Sequence, residues 1–183
     1  MPITNWTEML SACGEVAKGE HEFQTIVLDT VDNAYLFCMT HVCHENGWAH
    51  PSDAAYGKGF AAVNNEFRRV LLKLAQLPYG LMLISHSQEK EIETRTGNYT
   101  RITTTLPGSA AKIVIGLMDL VLLCEVDAVQ GDAGEYSYRR IIRTKPTPAY
   151  DAGDRTGRLP DALPLDYNEF TKAFAAATKG KTK

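Results

Sequence analysis

The chain has few cysteines, no long apolar run and no strong excess of either charge. Its four cysteines (Cys13, Cys38, Cys43 and Cys124) follow no framework spacing and include no Cys-x-x-Cys pair. That excludes a disulfide-stapled scaffold and fits reduced thiols in a cytoplasm. The longest apolar stretch, residues 113–126, is broken by Asp119 and is shorter than the roughly 20 residues that cross a bilayer, so no membrane partner is expected. Residues 1–10 lack a basic segment leading into an apolar one and do not read as a signal peptide. Nineteen Lys and Arg stand against 22 Asp and Glu, a net charge of -3. Binding nucleic acid through bulk charge is thereby disfavoured, and any such contact needs a local patch. Arg139, Arg140, Arg143, Lys145, Arg155 and Arg158 form the candidate patch, with a solvated surface strand as the alternative.

What is present is ordinary globular usage: 183 residues, 44% apolar and 22% charged. That is enough for one domain with a full core. Asn5 caps an expected helix over 6–17, with Trp6, Met9, Leu10 and Cys13 at helical spacing. Thr25–Asp29 reads as a short buried strand, 32–45 as a helix stopped by Asn46-Gly47, and 48–59 as a loop. The apolar stripe Phe60, Val63, Phe67, Val70, Leu71 and Leu74 predicts a helix over 60–77. A second buried strand follows at 81–85, with Ser85-His86-Ser87-Gln88 at its C-terminal end. Residues 89–105 are polar without sustained periodicity and are expected to be a long loop, a kind often functional or mobile. A short helix from 107 to 115, strands over 117–126 and 136–144 joined by a turn at 131–134, and a helix over 167–177 capped by Asp166 complete the pattern. Helices between early strands and a closing hairpin predict an α/β fold, mainly a parallel sheet with a C-terminal antiparallel hairpin. Ligands in such sheets bind beyond the C-terminal strand ends, where Asp29 and Ser85-His86 fall.

An apolar strand ending in an acid, here Ile26-Val27-Leu28-Asp29, suits the Walker B role, in which the carboxylate holds the water shell of a phosphate-bound magnesium ion. The same pattern also suits an Asp that only caps the next turn. Cys38, His41, Cys43, His44 and His50 are dense in potential zinc ligands, yet on a helix Cys38, His41 and His44 drift around the surface. Buried thiols and helix-face polarity are the expected reading there.

The succession of Asp-tipped strand, helix, strand with a polar end, long polar region, helix and strand pair resembles the RecA-like ATPase core. The resemblance is closest to phage-encoded AAA/RecA-like nucleotide-binding proteins, including single-strand-annealing ATPases. It is carried by Thr25-Ile-Val-Leu-Asp-Thr-Val-Asp32, Tyr56-Gly-Lys-Gly59, Leu83-Ile-Ser-His-Ser87, Glu91-Ile-Glu-Thr-Arg-Thr-Gly97, Arg143-Thr-Lys-Pro146 and Ala152-Gly-Asp-Arg-Thr-Gly-Arg-Leu-Pro160. The resemblance implies an incomplete RecA-like three-layer domain over 1–177 with a flexible tail at 178–183, in a bacterial or phage-infected cytoplasm. It implies ATP and magnesium as ligands, with Asp29 organising the ion through water and Ser85 and His86 as the sensor of the terminal phosphate. Lys90, Arg95, Tyr99 and Arg101 become contacts to single-stranded DNA, although residues 89–101 hold three acids against three bases. Arg143 and Lys145 resemble a basic finger reaching a neighbouring subunit's nucleotide, which implies a homo-oligomeric ring or filament.

A departure from the family sits at the phosphates. A phosphate loop needs G-x-x-x-x-G-K-[ST], and the nearest lookalike fails: Ser52 stands where the first Gly belongs, and Gly59 replaces the hydroxyl residue after Gly57-Lys58. Residues ahead of Thr25 contain no such motif. The expectation is a piece of a longer product or a chain that has lost ATPase function. The functions open to it are a phage-type recombination or annealing ATPase, a non-catalytic remnant or assembly subunit, and a single-stranded nucleic-acid-binding module. Without the strand and helix that flank Asp29 in intact relatives, exposed sheet edge and marginal stability or self-association are expected.

Overall fold

The computed structural model describes residues 2–95, 97–130 and 134–179. The turn expected at 131–134 lies outside them except for Gly134, as does the tail from 180 onward. The chain divides into two compact units, residues 1–87 with 104–117, and residues 88–103 with 118–183.

The first unit is built on helical signals that act as read. Helix α1 (Trp6–Lys18) starts at Asn5, whose side chain accepts from the Glu8 amide, and ends at the left-handed Gly19. Strand β1 (Thr25–Asp29) leads into α2 (Val31–Asn46), and two short 3-10 turns, Pro51–Asp53 and Ala55–Gly57, replace the expected loop ahead of α3 (Lys58–Ala75). Strand β2 (Gly80–Ile84) pairs with β1 in parallel, Thr25 opposite Gly80 through Asp29 opposite Ile84. Among the described residues the parallel sheet is these two strands, with one isolated parallel bridge between Ile102 and Tyr150 elsewhere, so the sheet is not mainly parallel as expected.

Alternation along β1 and β2 sends Ile26, Leu28, Leu81 and Leu83 onto the core and leaves Val27, Asp29, Met82 and Ile84 on the outer face. The core itself is helix on helix: Trp6 and Met9 of α1, Val31, Ala34, Tyr35 and Cys38 of α2, and Val63, Phe67, Leu71 and Leu74 of α3. Tyr35 meets Phe67 edge-on with ring centroids 5.1 Å apart. Gly59 sits in the first turn of α3 because nothing larger fits: a Cβ there would lie 2.1 Å from the Pro51 carbonyl oxygen. Helix α4 (Gly108–Leu117) adds Ala110, Ala111 and Ile113 to the same core.

The second unit corrects two expectations. Residues 89–105 are not a loop: β3 (Ser87–Thr94) and β4 (Gly97–Thr104) form a two-stranded hairpin. The polar sequence hid it because most of its side chains are exposed, so no apolar face marks the period-two alternation. Nor is 117–126 a single strand, since α4 runs through Leu117 and is followed by β5 (Leu120–Val121) and β6 (Leu123–Gln130). Strand β7 (Tyr136–Arg143) pairs antiparallel with β6, as expected of the closing hairpin. The stretch read as loop beyond it contains β8 (Gly153–Asp154), paired with β5, and β9 (Ala162–Pro164), paired with β7 over Ile141–Arg143 only. Helix α5 (Tyr167–Thr178) is capped by Asp166, whose carboxylate accepts from the Asn168 and Glu169 amides.

Candidate functional site

The C-terminal ends of β1 and β2 lie side by side, because Asp29 is in register with Ile84 and Ser85-His86 follow directly. Asp29, Ser85 and His86 therefore share one end of the sheet, and all three are exposed. The capping role that could have explained Asp29 is filled by its neighbour: Thr30 is the N-cap of α2, its hydroxyl accepting from the Asn33 amide at 3.3 Å. The Asp29 carboxylate has no recorded hydrogen-bond or ion-pair partner among the described residues, which leaves it open to hydrated cations. The peptide bond from Asp29 to Thr30 is cis.

Asp32, in the first turn of α2, was not assigned a role from sequence and is the residue that fixes this end. Its Oδ1 accepts from the Ser85 hydroxyl at 3.0 Å and from the Thr105 hydroxyl at 2.5 Å, and its Oδ2 accepts from the His86 amide at 3.2 Å. Ser85 Oγ lies 2.5 Å from Thr104 Oγ1, which in turn accepts from the Leu106 amide at 3.2 Å. With Ser85 donating to Asp32, Thr104 donates to Ser85, so a chain of hydroxyls runs from the start of α4 to one carboxylate. The Thr105 amide closes the arrangement on the His86 carbonyl at 3.0 Å. The signal for Asp32 was its place three residues past a strand-terminal acid, but its partners are 53 and 73 positions away and only the fold joins them.

A cavity of ≈ 240 Å³ opens beside Asp29, walled by Ile3, Met9, Val27, Leu28 and Phe37, with Thr30 and Asn33 among its polar lining. Its size is below the roughly 300 Å³ of the smaller ligand pockets, so it suits one ring or one apolar side chain rather than a whole nucleotide.

The other residues singled out from sequence belong to the second unit. Lys90 and Arg95 are exposed on the β3–β4 hairpin, Tyr99 is half-buried, and Arg101 is committed to Asp151 at 2.6 Å. Arg143 donates to Glu125 at 2.6 Å and to Asp127 at 3.2 Å, and these acids hold its guanidinium above the usual arginine range. Lys145 pairs at 3.5 Å with the buried carboxylate of Asp154. Most of the basic cluster is neutralised in this way, since Arg139 also pairs with Asp127 and Arg155 with Asp119; Arg158 keeps its charge and donates to the Ala177 carbonyl.

Cys38 and Cys43 are buried and His44 and His50 exposed, and among the described residues no group of three or more Cys, His, Asp or Glu is arranged to hold a metal. Burial pushes the Cys38 thiol up to about 12. No helix among the described residues is long and apolar enough to cross a membrane.

An exposed acid and a polar strand end lie at the C-terminal edge of a parallel pair, the edge at which open α/β sheets take ligands. A family model described as AAA domain matches residues 1–156, and the chain belongs to that family. No curated protein and no solved structure matches it.

Proposed function

We propose that this chain is a phage-type, RecA-like ATP-binding protein of DNA recombination or single-strand annealing, with its nucleotide site at the C-terminal ends of β1 and β2. The observation that carries the reading is the register of Asp29 with Ile84, which sets an exposed carboxylate beside Ser85-His86. In this reading Asp29 holds the water shell of magnesium, and Ser85 and His86 face the terminal phosphate. The ion, when bound, neutralises charge on the phosphate oxygens. Asp32 is a positioning residue: it holds the Ser85 hydroxyl and the His86 amide in place through hydrogen bonds of 3.0 and 3.2 Å.

The same reading gives Lys90, Arg95, Tyr99 and Arg101 to single-stranded DNA, and Arg143 and Lys145 to a finger in a homo-oligomeric ring or filament. The finger role requires Arg143 to exchange Glu125 and Asp127 for a neighbour's phosphates. The second reading, a non-catalytic assembly subunit of such an ATPase, is favoured by one observation: residues 1–183 contain no G-x-x-x-x-G-K-[ST].

Calorimetric titration with Mg·ATP separates the two. Binding that weakens at least about tenfold in Asp29→Asn, with an unchanged melting temperature, supports the nucleotide site. Absence of binding by the wild type, or equal binding by the variant, removes ATP from this chain's role and leaves the assembly subunit.

A further inference from the structure

The β6–β7 hairpin sorts its side chains by chemistry. Residues directly opposite in an antiparallel pair share a face, and alternate residues along each strand share it too. Arg139 stands opposite Asp127, and Arg143 and Glu125 lie on that same face, where both acids are consumed by the two arginines. The other face carries Tyr136, Tyr138 and Arg140 of β7, with Ala128 opposite Tyr138 and Val126 opposite Arg140. Neither strand places an acid on it.

This second face is open. Tyr136 is 62%, Tyr138 73% and Val126 63% exposed. The third strand, β9, pairs with β7 only over Ile141–Arg143, and the Leu165 amide beyond it reaches the Arg140 carbonyl at 3.0 Å, so residues 136–139 form a two-stranded arm beyond the edge of the sheet. Ala128 is too small to cover the flank of the Tyr138 ring. Arg140 is exposed and, among the described residues, is the one member of the 139–158 basic cluster without a recorded partner. Isolated exposed aromatics are ordinary on a protein surface. Two on one exposed face, in line with the Arg140 guanidinium and with Glu125 and Asp127 on the opposite side, are not scattered.

We propose that this face of the β6–β7 hairpin binds single-stranded nucleic acid, with Tyr136 and Tyr138 as stacking platforms and Arg140 on a phosphate. Alternate residues of an antiparallel strand are about 7 Å apart. That spacing leaves room for one base, roughly 3.4 Å thick, between the two rings. Stacking on exposed tyrosine is tolerant of sequence, and one arginine adds charge recognition where the chain's net charge of -3 supplies none. The surface is separate from Lys90 and Arg95 on the β3–β4 hairpin and does not depend on nucleotide.

The test is fluorescence anisotropy of a labelled oligothymidylate of about 15 nucleotides with the full chain, without ATP or magnesium, over a series of salt concentrations. Expected are binding by the wild type, weaker binding of a duplex of equal length, and an affinity loss of roughly tenfold or more in Tyr136→Ala/Tyr138→Ala. Tyr136→Phe/Tyr138→Phe keeps the rings and stays within about twofold of wild type, and Arg140→Gln lowers the salt slope by about one. All three positions are exposed, so each variant is expected to keep the wild-type circular dichroism spectrum. No binding by the wild type overturns the proposal, as it would if a protein partner covered this face. An unchanged Ala variant overturns it, as does a Phe variant as weak as Ala. So does a loss confined to Lys90→Gln/Arg95→Gln. Because ATP is absent, none of these results bears on the site at Asp29.

Discussion

The Ser85 hydroxyl donates to Asp32 Oδ1 at 3.0 Å, joining the end of β2 to the first turn of α2 across 53 residues of sequence. The same carboxylate takes the His86 amide and the Thr105 hydroxyl. Three donors from two separate segments therefore converge on one acceptor; without it the Ser85 and Thr105 hydroxyls fall back on the His86 carbonyl, at 3.2 and 3.5 Å, and the His86 amide is left to solvent.

Asp32→Ala is accordingly expected to destabilise the chain by about 1–2 kcal/mol, the site being only partly buried. Amide exchange at His86 and Thr105 should accelerate, while exchange in the middle of α3 stays slow. An Asp32→Ala protein whose His86 amide remains as protected as wild type would show that the carboxylate does not hold the strand end.

Gly59 offers a sharper packing test. The Cβ of Gly59→Ala would meet the carbonyl oxygen, carbonyl carbon and Cα of Pro51 at 2.1, 2.8 and 2.9 Å, all backbone atoms that cannot rotate away. A loss of at least about 2 kcal/mol is expected, because helix α3 or the 3-10 turn must move. Gly57→Ala meets nothing within 4 Å and bears only the cost of its left-handed φ of +70°, about 1–2 kcal/mol. Trp6 and Trp48 both lie in the first unit, so urea unfolding followed by tryptophan fluorescence reports this comparison. A Gly59→Ala midpoint equal to or above that of Gly57→Ala contradicts it.

That glycine also shows what the sequence could and could not say. Gly57-Lys58-Gly59 imitates part of a phosphate loop in one dimension, but the second glycine exists for its approach to Pro51, eight positions back. Local signals were legible where capping and periodicity set the outcome: Asn5, Asp166, the left-handed Gly47 and the stripe from Val63 to Leu74 all act as their chemistry implies. The strand ending in Asp29 was legible from its apolar, β-branched run, but the burial expected of it was not met, since only alternate residues face the core and Val27 is exposed. The β3–β4 hairpin was not, because its exposed polar residues carry no periodic burial. Asp32 was invisible as a site residue because its partners come from distant segments. The basic cluster misled in the opposite sense: neighbouring arginines in sequence face alternate sides of β7, and one side is neutralised by β6.

Asp154 gives the second unit a pH signature. Burial would raise its carboxyl, but donation from the Leu159 amide and from the hydroxyl and amide of Thr156, with Lys145 nearby, lowers it from the ordinary 3.8 to about 2. A carboxyl depressed on folding stabilises fully above its unfolded value, and that contribution is lost as pH falls through the folded value. Stability of the second unit should therefore fall between about pH 4 and pH 2, and Asp154→Asn should flatten that arm while costing roughly 1–3 kcal/mol at pH 7. Tryptophan fluorescence does not report on this unit, so the measurement is amide exchange at Leu159 or far-ultraviolet circular dichroism at pH 7, 4 and 2.5. An acid arm equally steep in the variant would remove Asp154 as its cause.

The outer face of the parallel pair sets the last expectation. Parallel strands are ordinarily covered on both faces, since crossover helices pack on each side. Here the inner face is packed, while Val27 and Met82 are paired across the strands and exposed at 52% and 51%, with Ile84 beyond them at 39%. Contiguous apolar surface next to an unpaired strand edge drives association. Sedimentation velocity over a range of concentrations should show self-association of the wild type, and Met82→Lys should shift it toward monomer without lowering the melting temperature, because the side chain leaves no core position. The substitution sits two residues before Ile84, the residue in register with Asp29, so loss of association with Mg·ATP binding retained would separate the face from the nucleotide site. A wild type that stays monomeric throughout would mean that solvent alone suffices to cover this face.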